Sequence, residues 1–231
     1  MAYVFPPEPI KSVSITEESR VYAIRRIFCV GRNYAAHAAE MGGEVDREAP
    51  WYFTKSPHAM TLAGGAIAYA PGTQNLHYEM ELVVALGAEV FQADQERAGE
   101  AVFGYGCGLD MTRRDLQQVG KDNRRPWDLG KDLEDGAILG PLTRADEVGA
   151  LGPQRIALKQ NGTVKQDALL ADMVWSVPEI ISHLSHYYHL GPGDLIMTGT
   201  PAGVGPVQPG DVLRGTIDGL APVDVRIGPA A

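Results

Sequence analysis

The stretch Asn75-Leu-His-Tyr-Glu79-Met-Glu81-Leu-Val-Val-Ala-Leu-Gly87 constrains the fold more than any other part of the chain. Residues 80–86 are rich in Val and Leu and end at a glycine, the pattern of a β-strand. Side chains alternate across a strand, so Glu79 and Glu81 share a face with Val83 and Ala85. Met80, Leu82, Val84 and Leu86 take the other face and must meet a core. Two carboxylates side by side at the mouth of an apolar strand repel each other unless something neutralises them. A hard divalent cation with oxygen ligands such as Mg2+ does so. The alternative is an edge strand with two solvated glutamates.

The rest of the chain sets the setting for that strand. Its 231 residues, 45% hydrophobic and 21% charged, suffice for one large domain or two small ones with a real core. The formal charge of −9 argues against nucleic acid or an anionic membrane as the main partner. An anionic substrate then needs a locally basic pocket or a metal. Cys29 and Cys107 form no C-x-x-C pair and sit in apolar or Gly-rich runs, which predicts buried free thiols in a reducing compartment. With no basic segment leading into an apolar run, and no apolar run near 18 residues, the expectation is a cytoplasmic protein without a membrane span.

In chain order, residues 1–24 read as an arm or short hairpin, and residues 26–30 as a short buried strand. Asn33 is a candidate N-cap for a short Ala-rich helix that Gly42-Gly43 stops. His37 and Glu40 fall three apart on it and share a face, as an exposed ion pair would. Residues 44–50 form a charged loop. Trp51–Lys55 is a strand whose terminal lysine reads as a solvated strand end rather than a ligand contact. His58 has no evident partner, and His77 is either a support for the glutamates or a plain strand residue. Residues 104–110 form a strand whose glycines mark close approach by backbone or ligand. Thr112-Arg113-Arg114-Asp115 has capping-box spacing, which starts a helix and leaves Asp110 at a strand-to-helix junction. Asn161-Gly162 turns a hairpin within 155–166. Ser176-Val-Pro-Glu179 opens a helix expected to bury Ile180, Ile181, Leu184, Tyr187 and Tyr188. His183, His186 and His189 fan over the opposite, solvated face. Strands follow at 194–199, 211–213 and 223–227. Short strands outnumber helices, so the fold class is mixed α/β and β-rich.

Five of these segments together resemble the fumarylacetoacetate hydrolase family, from about residue 25 to the end. They are Val30-Gly-Arg-Asn-Tyr-Ala-Ala-His37-Ala-Ala-Glu40-Met, His77-Tyr-Glu79-Met-Glu81, Leu109-Asp110-Met-Thr-Arg-Arg114-Asp-Leu-Gln117, Gly130-Lys131, and Leu195-Ile-Met-Thr-Gly-Thr200-Pro-Ala-Gly-Val-Gly. The Arg-Arg-Asp-Leu-Gln and Arg-Pro-Trp runs are most similar to its acylpyruvate hydrolases. The resemblance implies a mixed β-sandwich roll over 25–231, usually homodimeric, with Mg2+ or Mn2+ on Glu79, Glu81 and Asp110. It also implies that Arg114, Gln117, Lys131 and Thr200 face the substrate; Arg32, at a strand end near the presumed site, is a further substrate-binding candidate read from its position.

Those residues suit cleavage of a 2,4-dioxo acid such as fumarylpyruvate. Its carboxylate and 2-oxo oxygen chelate a hard metal, which stabilises the enolate left by C3–C4 cleavage. His37, made more basic by Glu40, is the expected base for the attacking water, and the short helix carrying both can act as a lid. Lys131 either holds the substrate oxygens or delivers a proton. Oxaloacetate decarboxylation and 2-oxo acid tautomerisation or hydration are the alternatives on the same scaffold. A far carboxylate on the substrate has candidate partners in Arg113, Arg114, Lys121, Arg124 and Arg125, with Arg32 and Lys55 in reserve.

Overall fold

A computed structural model describes residues 2–43 and 47–230. Part of the charged loop, residues 44–46, lies outside the described residues.

The strand Met80–Leu86 forms where its Val and Leu content places it, and every residue in it is buried. Its neighbours are Asp194–Met197 on one side and Val102–Asp110 on the other, both antiparallel. From there the eight-stranded mixed sheet extends through Arg26–Gly31 to Trp51–Lys55, and in the other direction through Ala137–Leu139 to Met60–Leu62. Thr143–Arg144 pairs with Val102–Asp110 off that path. A second sheet runs Thr163–Leu169, Arg155–Gln160, Val212–Ile217, Val223–Ala230, Ala66–Tyr69.

Strand alternation separates two cores. Met80, Leu82, Val84 and Leu86 pack with Ile156, Leu158, Leu213 and Val225 between the sheets. Val83 and Ala85, on the face of Glu81, pack instead with Val13, Ile15 and Tyr22. These come from the hairpin of Ser12–Ser14 and Val21–Ala23, which covers the outer face of the large sheet. The strand is therefore central rather than an edge, which removes the solvated-glutamate alternative. The glycines of Val102–Asp110 serve packing: a Cβ at Gly108 would lie 2.5 Å from Val83 Cγ2.

Local signals were kept where no distant group competed for them. Asn161 and Gly162 both take positive φ, 52° and 81°, in the turn between Arg155–Gln160 and Thr163–Leu169. Glu179 accepts hydrogen bonds from Ser176 N (2.8 Å) and Oγ (2.7 Å) at the start of Val177–Ser185. That helix ends at Ser185, so Tyr187 and Tyr188 leave its periodicity and stay 68% and 43% exposed, contrary to expectation. The three histidines disperse: His183 Nδ1 meets the Tyr52 hydroxyl at 3.0 Å, His186 is exposed, and His189 stacks on Phe91.

Two expected caps were displaced. The helix Ala35–Glu40 starts after Tyr34 with no side-chain cap. The Asn33 amide donates instead to the Trp175 and Thr198 carbonyls and accepts from Trp175 N. The helix Arg114–Asp122 likewise has no side-chain cap. Asp115 accepts from Thr73 Oγ1 (2.5 Å) and Gln74 N (3.1 Å). Thr112 is spent on Lys131 and the Asp110 carbonyl. No helix among the described residues is long and apolar enough to cross a membrane.

Candidate active site

Glu79 precedes the central strand, Glu81 is its second residue, and Asp110 ends the strand beside it. Met80 stands opposite Leu109, and Asp110 N donates to the Glu79 carbonyl at 2.9 Å, so the register draws the carboxylates together. One oxygen from each lies within 4.8 Å of the others, and all three residues are buried.

Three cations answer them. Lys131, on the short helix Asp128–Lys131, donates to Glu79 Oε2 (2.8 Å), Asp110 Oδ2 (2.7 Å) and Thr112 Oγ1 (2.8 Å). Gly130 lets this helix approach, because a Cβ there would lie 2.8 Å from Gln117 N. Arg114 Nη2 donates to Glu79 Oε1 at 2.5 Å, and its Nη1 to Gln117 Oε1 at 2.7 Å. His77 supports that arginine: its Nδ1 accepts from Arg114 Nε at 3.4 Å while its Nε2 donates to Asn75 Oδ1 at 2.9 Å. Burial and the Arg114 charge push the His77 imidazole down to about 4, so it stays a neutral acceptor.

The third cation is Lys55, expected in solvent and found with no side-chain exposure. Its Nζ lies 2.8 Å from Asp110 Oδ1 and donates to the Met111 and Lys131 carbonyls. The signal available in the sequence was its place at the end of a Trp-Tyr-Phe-Thr strand, where a lysine needs a buried partner. Removing one partner of a buried ion pair typically costs about 3–5 kcal/mol. Lys55→Met is expected to lower unfolding stability by about 3 kcal/mol in urea titration, and a change within about 0.5 kcal/mol, typical of a surface substitution, would show that Asp110 needs no such partner.

Electrostatics divide the three carboxylates. Burial alone would raise Glu79, but the Lys131 and Arg114 charges outweigh it and hold the carboxyl below its usual range. Burial, joined by the Asp110 and Glu79 charges, pushes Glu81 well above it. Lys131 is raised: the Asp110 and Glu79 charges overcome the burial that would lower it. Among the described residues Glu81 accepts a single hydrogen bond, from Gly199 N at 2.9 Å, and forms no ion pair, whereas Glu79 and Asp110 are each paired with two cations. An all-oxygen cluster left under-neutralised at Glu81 fits a hard divalent cation.

One pocket brings Arg32, His37, Arg114, Gln117, Lys131 and Thr200 around Glu79 and Glu81. His37 is buried, and its Nδ1 lies 3.3 Å from Glu40 Oε2. Burial lowers the imidazole, against the opposing pull of the Glu79 and Glu40 charges. Both Glu40 oxygens accept from Gly203 N at 3.1 Å, which orients the carboxylate behind the ring. Thr200 differs from a simple substrate donor. Its hydroxyl donates to the Met80 carbonyl and accepts from Gln166 Nε2, both at 2.8 Å. Gln166 also accepts from Met80 N at 3.0 Å. This fully buried glutamine from the second sheet gave no sequence signal.

Four likenesses to known proteins agree with this geometry. The model of the fumarylacetoacetate (FAA) hydrolase C-terminal region matches residues 26–228. A fumarylpyruvate hydrolase from Ralstonia sp. is 48% identical over 82% of this chain and 100% of its own. An oxaloacetate tautomerase from Escherichia coli is 37% identical over 86% of this chain and 90% of its own. The crystal structure of fumarylpyruvate hydrolase from Pseudomonas aeruginosa in complex with Mn2+ and pyruvate superposes with a TM-score of 0.95, at 43% identity, covering 99% of this chain and 100% of that one. With a family match spanning nearly the whole chain, and five sequence segments converging on one buried carboxylate cluster, the chain belongs to the fumarylacetoacetate hydrolase family.

Proposed function

We propose that this protein hydrolyses the C3–C4 bond of an acylpyruvate, with fumarylpyruvate as substrate, to give pyruvate and fumarate. The observation that carries this reading is a buried imidazole, its proton affinity lowered by burial, in the same pocket as Glu79 and Glu81 of the three-carboxylate cluster. Glu79, Glu81 and Asp110 would hold Mg2+ or Mn2+. When bound, that cation supplies Lewis-acid stabilisation of the charge on the 2-oxo oxygen.

The chain's own groups then divide the proton work. His37, oriented by Glu40, takes a proton from water as the oxygen adds to C4. As the C3–C4 bond breaks, its electron pair passes to C3 and makes the pyruvate enolate, and the acyl group leaves as the acid. The His37 imidazolium then returns its proton to C3, and the acid ionises to solvent. All three Lys131 N–H donors are committed to Glu79, Asp110 and Thr112, and its ammonium is stabilised by two of them. That favours a role in holding the carboxylates over proton delivery. Arg114 and Gln117 fix the substrate end near Glu79, while Thr200 positions Met80 between the two glutamates. The hairpin within residues 1–24 serves as an arm on a catalytic domain of residues 25–231, and the active species is a cytoplasmic homodimer.

The Escherichia coli relative motivates a second reading, oxaloacetate tautomerisation, which shares the chelate but needs no attacking water. A panel of fumarylpyruvate, acetylpyruvate and oxaloacetate, assayed with Mg2+ and with Mn2+, separates them. The expected result is release of pyruvate from fumarylpyruvate in preference to any change in oxaloacetate. Turnover of oxaloacetate alone would overturn the hydrolase reading.

A further inference from the structure

The pocket above the carboxylates holds two cations that the chemistry just described does not use, Arg32 and Lys121. Arg114 and Lys131 are matched to Glu79 and Asp110. Among the described residues, neither Arg32 nor Lys121 forms an ion pair. Lys121 is half-buried on Arg114–Asp122, with its ammonium 5.2 Å from the centre of the Trp127 ring. Arg32 sits at the pocket mouth with φ 55°, a left-handed conformation that costs a side-chain-bearing residue free energy. Its neighbour Asn33 is pinned by three hydrogen bonds, which holds that conformation in place. A Cβ at Gly43 would lie 3.1 Å from Arg32 Nη1, so the guanidinium rests against the turn after the His37 helix. Burial, together with the Arg114 and Arg32 charges, lowers the Lys121 ammonium below its ordinary value. Cations gathered at one small pocket with no ion-pair partner among the described residues, in a chain with net charge −9, are stabilised by an anion.

We infer that Arg32 and Lys121 bind the carboxylate at the far end of the substrate and set the preference for a dicarboxylate. This deepens the proposed hydrolase reading and rests on it. The other cations expected for this task are placed elsewhere. Arg113 donates to the Leu129 carbonyl, and Arg124 and Arg125 are exposed. Arg125 lines a neighbouring cavity of about 470 Å³ beyond Trp51 and Trp127, and it is the competing candidate.

Each charge-assisted hydrogen bond to a carboxylate corresponds to about tenfold or more in kcat/KM. The test compares fumarylpyruvate with acetylpyruvate on the Mn2+-loaded protein and its Arg32→Met, Lys121→Met and Arg125→Met variants. The expected wild-type preference for fumarylpyruvate is at least about tenfold, and Arg32→Met and Lys121→Met are each expected to reduce that ratio about tenfold. Arg125→Met should keep it. A ratio unchanged in the two inner variants, or lost only in Arg125→Met, overturns the assignment. Calorimetry with fumarate and with acetate reads the same site without turnover. A protein that cleaves neither acylpyruvate overturns the hydrolase reading, whereas equal fumarate affinity in wild type and both inner variants overturns the anion site itself.

Discussion

Glu81→Ala is expected to leave a folded protein that no longer binds Mn2+ and has lost at least about 10³-fold in acylpyruvate cleavage. That factor corresponds to the several kcal/mol of charge stabilisation a Lewis acid supplies, at about 1.4 kcal/mol per decade. The fold should survive because Glu81 is not a structural anchor: it accepts one backbone hydrogen bond and is opposed by Asp110 and Glu79. Removing it relieves a like-charge repulsion, so the metal-free variant should be no less stable to urea than the metal-free wild type. Titration with Mn2+ followed by electron paramagnetic resonance reads binding apart from turnover. Full activity of the wild type after exhaustive EDTA treatment would sink the metal-centred reading altogether.

His37→Ala should cost about 10²–10⁴-fold in fumarylpyruvate hydrolysis, the usual worth of a general base. Any reaction of the same protein with oxaloacetate should fall less, because it needs no water activated. The pH profile supplies a second readout. As the proposed base His37 would work deprotonated, so activity should be present above its folded-state pKa and be lost as pH falls through it. Burial lowers that value, which places the acid limb of kcat/KM below the ordinary 6.5. Glu40→Gln keeps an acceptor for Gly203 N but removes a charge that raises the imidazole, and should move the limb further down. Equal losses in both reactions on removing His37, or a limb above 6.5, would mean that the dyad does not activate water.

How much of this was legible in the chain follows from where each group finds its partners. The Met80–Leu86 strand, the Asn161-Gly162 turn and the Ser176–Glu179 cap are local statements, and nothing distant contests them. The carboxylate pair was legible because a strand's period of two fixes which side chains share a face. Asn33 and Thr112 were misread as caps because better partners arrive from 142 and 19 residues away. Lys55 was misread because its carboxylate lies on the strand Val102–Asp110, separated in the sheet by two intervening strands from Arg26–Gly31, the strand Lys55 pairs with. Gln166 was invisible for the same reason: its amide reaches Met80 and Thr200 only after the second sheet folds over the first. The family motifs recovered what periodicity could not, the grouping of Lys131, Gln117 and Thr200 with the glutamates.

The turn that follows Asp194–Met197 touches both halves of the chemistry. At one end Gly199 N holds Glu81, and four residues later Gly203 N holds Glu40. Between them Thr200 is fastened to Met80 and Gln166. The positions of Glu40, which bonds the proposed base, and of Glu81, a proposed metal ligand, are thus indexed to one another through five consecutive residues rather than set separately. Substitutions within that turn should therefore couple to changes at His37 and at Glu81 alike, with free energies that fail to add in double-mutant cycles. On the proposed reading, the acyl pocket can change at Arg32 or Lys121 while the spacing between Glu40 and Glu81 stays locked.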